Sequence, residues 1–154
     1  MLFRSLALAD EEAPDLVVSL ATLTGAARVA MGPEVAPFYC DDDALAAELT
    51  AAGLQVGDPL WRLPFWSGYD AMLDSPVADM NNVADGPFGG SIIAALFLRR
   101  FVRKARRYAH FDIYGWRPGP KPLGPKGAEV QGARALLEVI GHMAKSAEIG
   151  RAHV

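Results

Sequence analysis

The sequence predicts an α/β layered fold with a mixed, mainly parallel central sheet flanked by helices. Continuous apolar runs with β-branched residues, such as "DLVVSLATL" at Asp15–Leu23, read as strands covered on both faces, as parallel sheets require. These runs alternate along the chain with segments of helical periodicity, the order that βαβ units produce. The 154 residues, 51% hydrophobic and 21% charged, suffice for one ordinary soluble domain with a sizeable core.

The elements follow in chain order. "LALADEEAPD" reads as the last turns of a helix stopped by Pro14, which lacks a donor and clashes with the preceding turn. "DLVVSLATL" is the first strand, and "ARVAMG" is expected as a second, short one. Asp41, Asp42 and Asp43 offer N-cap acceptors before "ALAAELTAAG", in which Leu45 and Leu49 share a face and Gly53 closes the helix. "DPLWRLPFW" is expected as a loop with aromatic anchors, and "SGYDAMLD" as a short helix. "SPVADMNNV" is expected as a strand with a polar end, followed by "GPFGGS" and the apolar helix "IIAALFLRRFV". "YAHFDIYGW" alternates as a strand, and "RPGPKPLGPKG" is a loop of the long kind that borders sites. "GARALLEVIGHMA" closes as an amphipathic helix with Ala135, Val139 and His142 or Met143 aligned.

Composition narrows the function classes. A net charge of −3 gives no general attraction to nucleic acid or anionic membrane, and neither is expected as a partner. Cys40 is the single cysteine, so no internal disulfide is possible, and a lone thiol fits a reducing compartment. The longest apolar run is too short to span a bilayer, and nothing at the start reads as an export leader.

Three strand ends draw attention, because open α/β sheets bind ligands at the carboxyl edges of their strands. They are Thr22–Gly25, Asp79–Asn82 and Tyr114–Gly115. Gly25 has no Cβ to keep another backbone away, so polar main-chain groups there can meet a peptide-like ligand. Threonine and glycine also merely end strands, and the local pattern by itself favours that simpler account. His110 and Asp112 share a strand face and could ligate a metal; a third ligand is missing, so a histidine packed in the sheet is the better account. The Asp41–Asp43 run suits helix capping better than a cation. "PFGGSIIAA" lacks the lysine and hydroxyl of a phosphate loop, so its glycines serve close packing or substrate entry. The basic run "RRFVRKARR" suits a phosphate backbone or, in an acidic chain, a helix end whose cations complement the dipole; the second fits better. No serine stands in a nucleophile-elbow frame.

Taken together, "ATLTGAARVAMGPE", "GDPLWRLPFW", "YDAMLDSPVADMNNV", "GPFGGSIIAALFLRRFV", "AHFDIYGW" and "KGAEVQGARALL" resemble, in order, the catalytic domain of the leucyl (cytosol) aminopeptidase family. The resemblance implies a metal-dependent aminopeptidase that removes N-terminal residues such as leucine from peptides. It implies two divalent ions (manganese, zinc or magnesium), a cytoplasmic homo-hexamer and peptide substrates. It further implies that backbone at Thr22, Leu23, Thr24 and Gly25 holds the peptide, that Thr22, Gly25 and Tyr114 wall the pocket for the departing residue, and that Val83 belongs to the next pocket. Tyr114 stands where many relatives have alanine, which makes the pocket shallower, and Ile93 replaces a usual threonine. His110 and Asp112 match family positions that are not ligands.

The family's metal-binding lysine and carboxylates, and the arginine thought to hold a bicarbonate, align upstream of Met1. No catalytic or metal-binding residue is therefore expected within this chain, and no tight metal binding. Residues 1–5 and 148–154 do not match the family and, back-translated, resemble sequencing-adapter DNA; they are expected to be non-native tails on a C-terminal catalytic-domain piece spanning 6–147. The expectation is an aminopeptidase in the parent protein, inactive as this piece alone. The alternative is a non-catalytic aminopeptidase-like binding or assembly module.

Overall fold

Strand β4, Tyr108–Asp112, is buried at every position and organises the sheet. β1 (Val17–Ala21) pairs with it in parallel, with Val17 opposite Tyr108 and Ala21 opposite Asp112. On the other side β2 (Ala36–Cys40) runs antiparallel, with Tyr39 opposite His110, and β3 (Leu60–Leu63) lies parallel to β2. The order β1-β4-β2-β3 is the mixed, mainly parallel sheet expected from sequence. The computed structural model describes residues 2–83, 86–122 and 124–152, with side chains as far as residue 146.

Side chains alternate across a strand, so β4 divides its residues between two faces. Ala109 and Phe111 point to one face with Phe38 and Cys40, beneath helices α3 (Asp43–Gln55) and α5 (Ala133–Ala152). Leu45, Leu49, Ala135 and Val139 close that core, and the Phe38 and Phe111 rings stack at 5.6 Å. Met143, not His142, continues the buried stripe of α5; His142 faces Glu48 near solvent. The opposite face carries α1 (Leu2–Glu11), α2 (Gly25–Met31) and α4 (Gly90–Arg99). There Leu6, Val17, Leu98 and Tyr108 form an apolar cluster beside a buried polar group. Residues 2–5 continue α1, and the Phe3 ring lies 5.1 Å from Phe101.

Four local expectations are corrected. Ala27–Gly32 does not form a strand. It lies in and just after α2, because the Thr24 hydroxyl accepts from the Ala27 amide as an N-cap and the alanines that follow favour helix. "DPLWRLPFW" is not all loop: between Pro59 and Pro64, Leu60–Leu63 is free to pair as the edge strand β3. "SPVADMNNV" forms no strand, because Ser75 Oγ accepts from the Val77 and Ala78 amides and folds the segment into a turn. Gly53 does not close α3. It lies inside the helix against Asp58 and Leu60, and Gly57, at φ +64°, follows the end. The Pro/Gly-rich loop also contains a short antiparallel ribbon, β5 (Trp116–Arg117) with β6 (Gly127–Ala128), clamped where Arg117 pairs with both Glu129 oxygens.

The basic run is only partly a helix end. Arg99 pairs with Asp41 at 2.7 Å and Arg100 donates to the Asp70 carbonyl. Beyond them the chain turns, and the amides of Arg103, Lys104 and Ala105 converge on the buried Asp10 carboxylate at 2.8–2.9 Å. Burial works to raise that carboxyl's pKa; the three backbone donors and the Lys104 charge outweigh it, and the net shift is downward.

Candidate functional site

β1 and β4 run parallel, so their carboxyl ends meet at one edge of the sheet, while antiparallel β2 ends at the other. Thr22–Gly25 leaves β1 at that edge, and Ile113–Gly115 leaves β4 beside it. The Ile113 amide still donates to Ala21 O at 2.9 Å, and Gly115, at φ +69°, brings its Cα so near Thr22 that an added Cβ would lie 3.1 Å from the threonine methyl. Gly25 opens onto free space: an added Cβ would meet nothing within 4 Å. Strand pairing thus juxtaposes Thr22, Leu23, Thr24 and Gly25 with Tyr114.

Asp112 fixes this edge. Its Oδ1 accepts from the Leu23 and Thr24 amides at 3.0 Å each, and its Oδ2 from the Thr24 hydroxyl at 2.5 Å. Ser91, in the first turn of α4, donates to the same Oδ2 at 2.9 Å, and the Tyr39 hydroxyl donates to Ser91 at 2.6 Å. Asp112 is 1% exposed, so each of these bonds acts away from water. Burial and the Asp112 charge push the Tyr39 phenol up to about 12, against the Ser91 hydrogen bond, and keep it a neutral donor.

A second chain lies next to the first. Ser19 Oγ is 2.8 Å from both the Tyr108 hydroxyl and His110 Nδ1. A serine within reach of an imidazole has the outline of a nucleophile and base. Both residues are sealed in the sheet, and burial lowers the histidine pKa to about 4 in spite of Asp112 and Ser19, so the ring is neutral at neutral pH. This is the packed, hydrogen-bonded histidine expected from sequence. The carboxylate run weighed for a cation instead starts a helix, as expected: Asp42 caps α3, while Asp43 pairs with Arg62.

Other expected residues stand apart. Val83 is exposed, its amide bonded to Asn81 Oδ1 in a turn. An apolar cavity of about 360 Å3 lies between α1 and α4, lined by Leu2, Phe3, Ile93 and Phe97 among others, and reaches the turn at Leu23. Four neighbours of the site went unnoticed as such in the sequence. Ser91 and Tyr39 carry no motif and are joined to Asp112 only by the fold. Arg28 on α2 lies over the Tyr114 ring at 5.0 Å, a cation–π distance. Gln131 accepts from the Tyr114 and Gly115 amides at 3.0 Å and donates to Pro33 O. The signal available for the first group was the carboxylate itself: an aspartate at the end of a fully apolar strand demands several donors.

Residues 1–137 match the family model described as "Cytosol aminopeptidase family, catalytic domain". The chain belongs to the cytosol aminopeptidase family. It is 48% identical over 131 residues to a probable cytosol aminopeptidase of Oleidesulfovibrio alaskensis, covering 84% of this chain and 25% of that protein. A probable cytosol aminopeptidase of Synechococcus sp. strain RCC307 is 44% identical over 139 residues, 89% of this chain and 28% of its own. The crystal structure of the Coxiella burnetii cytosol aminopeptidase superposes with a TM-score of 0.85 at 42% identity, over 92% of this chain and 31% of that one. The bottromycin maturation enzyme BotP superposes at 0.84 with 35% identity, over 94% and 32%. The chain therefore spans about a quarter to a third of the length of these four proteins.

Cytosol aminopeptidases are expected to use metal ions, which need several ligating side chains converging on one point. Among the described residues no three His, Cys, Asp or Glu side chains converge as a metal cage. The best-buried carboxylate at the site, Asp112, already accepts four hydrogen bonds from the protein. The described residues do not fit a two-metal centre. Among them, no helix is long and apolar enough to cross a membrane.

Proposed function

We propose that this chain forms the peptide-holding wall of an aminopeptidase that releases N-terminal residues, leucine among them, from peptides. One observation carries the proposal. Asp112 draws the Leu23 and Thr24 amides inward, which leaves the outer main-chain edge of Thr22–Gly25 beside the open space at Gly25. An extended peptide can add its backbone hydrogen bonds to such an edge, in the manner of strand addition. Thr22, Gly25 and Tyr114 then wall the pocket for the departing residue. Tyr114, stiffened by Arg28, makes that pocket shallow, and Val83 contributes to the neighbouring pocket when the peptide is bound.

Hydrolysis, on this proposal, requires the lysine, carboxylates and arginine of the family signature, together with two divalent ions, manganese, zinc or magnesium, that polarise the scissile carbonyl and ready a water. The chain's own residues bind and orient the peptide; they do not hold the ions tightly. The cytoplasmic location and homo-hexameric assembly belong to the same proposal, as does the lack of a nucleic-acid or membrane partner.

The test is an assay of the purified chain with leucine p-nitroanilide and manganese. The expected outcome is no turnover, together with peptide-dependent shifts of the Thr22–Gly25 amide resonances. Turnover that a chelator abolishes would overturn the division of labour.

A further inference from the structure

We propose that Asp112 is the positioning residue of the peptide site, acting through the Leu23–Thr24 backbone. The inference rests on the reading of Thr22–Gly25 as the peptide-holding edge. Asp112 is sealed from solvent, and four donors meet its two oxygens: two amides and a hydroxyl of the turn, and the hydroxyl of Ser91. A carboxylate accepts such bonds about twice as strongly as a neutral oxygen. The direction of each peptide plane in the turn follows from them. With Leu23 N and Thr24 N held to Oδ1, the peptide units carrying these amides cannot rotate their N–H groups toward the ligand side. Thr24 is also held from its other end, since its hydroxyl accepts from Ala27 N while donating to Asp112. The same carboxylate ties the turn to α4 through Ser91, and through Ser91 to Tyr39 on β2. Three elements distant in sequence are thereby set to one geometry before any peptide arrives, which is the condition for cheap binding.

This role differs from that of the neighbouring Ser19–His110–Tyr108 chain. That chain joins β1 to β4 within the sheet, through bonds of the Ser19 hydroxyl to Tyr108 and His110 rather than to the turn. Removing a hydroxyl there disturbs stability, and removing the charge at Asp112 disturbs both stability and the peptide edge.

The experiment compares three variants of the full 154-residue chain: Asp112→Asn, Ser91→Ala and Ser19→Ala. Hydrogen exchange is read at Leu23 and Thr24, and binding of the tripeptide Leu-Gly-Gly is read from the amide shifts of Thr22–Gly25. Asp112→Asn keeps the shape and removes the charge. Exchange at Leu23 and Thr24 is expected to quicken beyond the global change, and the binding midpoint to rise about tenfold. Ser91→Ala, which keeps the charge and removes one donor, is expected to move both readouts the same way by less, and it serves as the test where Asp112→Asn does not fold. Ser19→Ala is expected to lower the melting temperature and leave the midpoint unchanged. A midpoint that survives Asp112→Asn, or Leu23 and Thr24 exchange that follows only the global change, overturns the positioning role alone. Absence of tripeptide shifts in the unsubstituted chain overturns instead the reading of the turn as a peptide site.

Discussion

The two faces of β4 divide labour that a single strand sequence interleaves. Toward α3 and α5, Ala109 and Phe111 meet an aliphatic and aromatic core with Phe38, Leu49 and Val139. Toward α4, Tyr108, His110 and Asp112 meet hydroxyls and amides. The first face stabilises by removing apolar area from water, in proportion to what is buried. The second contributes little net energy, because its hydrogen bonds replace equally good bonds to water, and each group becomes costly only when its partner is lost. The apolar face holds the sheet together, and on the proposed reading the polar face transmits that rigidity to Thr22–Gly25.

The largest expected effect lies on the apolar side. Phe111→Ala empties a fully buried ring site, and urea unfolding is expected to show a loss of about 3–5 kcal/mol. A loss no greater than that of Ser19→Ala would erase the contrast between the faces. Next comes the acid response of the polar side. His110 has a folded pKa lowered from 6.5 to about 4, so between these values the unfolded chain holds more protons. Its contribution to stability is complete above pH 6.5 and is lost as pH falls toward 4, on the order of 3 kcal/mol in all. Urea midpoints at pH 7 and 4.5 should separate accordingly, and His110→Gln should remove that separation; an unchanged separation would assign the acid response elsewhere. The smallest effect sharpens the packing of the apolar side. Glycine to alanine inside a helix ordinarily gains about 1 kcal/mol. At Gly53 the new methyl would sit 2.6 Å from the Asp58 carbonyl, so Gly53→Ala is expected to cost about 1–2 kcal/mol net in thermal or urea unfolding.

Much of this architecture was legible in residues alone. The apolar runs at Val17–Ala21 and Tyr108–Asp112, the Asp42 cap and the apolar helix at Gly90–Arg99 stand where pattern placed them. The misreadings share a cause: short segments whose state is set by one side chain or one partner strand. Thr24 capping turned Ala27–Met31 into helix, and Ser75 turned its neighbours into a turn. Leu60–Leu63 became a strand because β2 was there to pair with it. The outline of the proposed site, Thr22–Gly25 with Tyr114, came from motif order. The machinery beneath it did not, because the bonds from Asp112 to Leu23 and Ser91 link positions 89 and 21 residues apart, and no local pattern records such distances.

The Asp58 side chain accepts from the amides of Gly132, Arg134 and Ala135, and so caps α5 across 74 to 77 residues. Together with Asp10, bound to amides 93 to 95 positions downstream, it makes segments far apart along the polypeptide mutually dependent. Each acid can find its donors only once 74 to 95 further residues have been added behind it. Folding of this topology therefore depends on distant closures, whose loop entropy must be met before the contacts they make repay it.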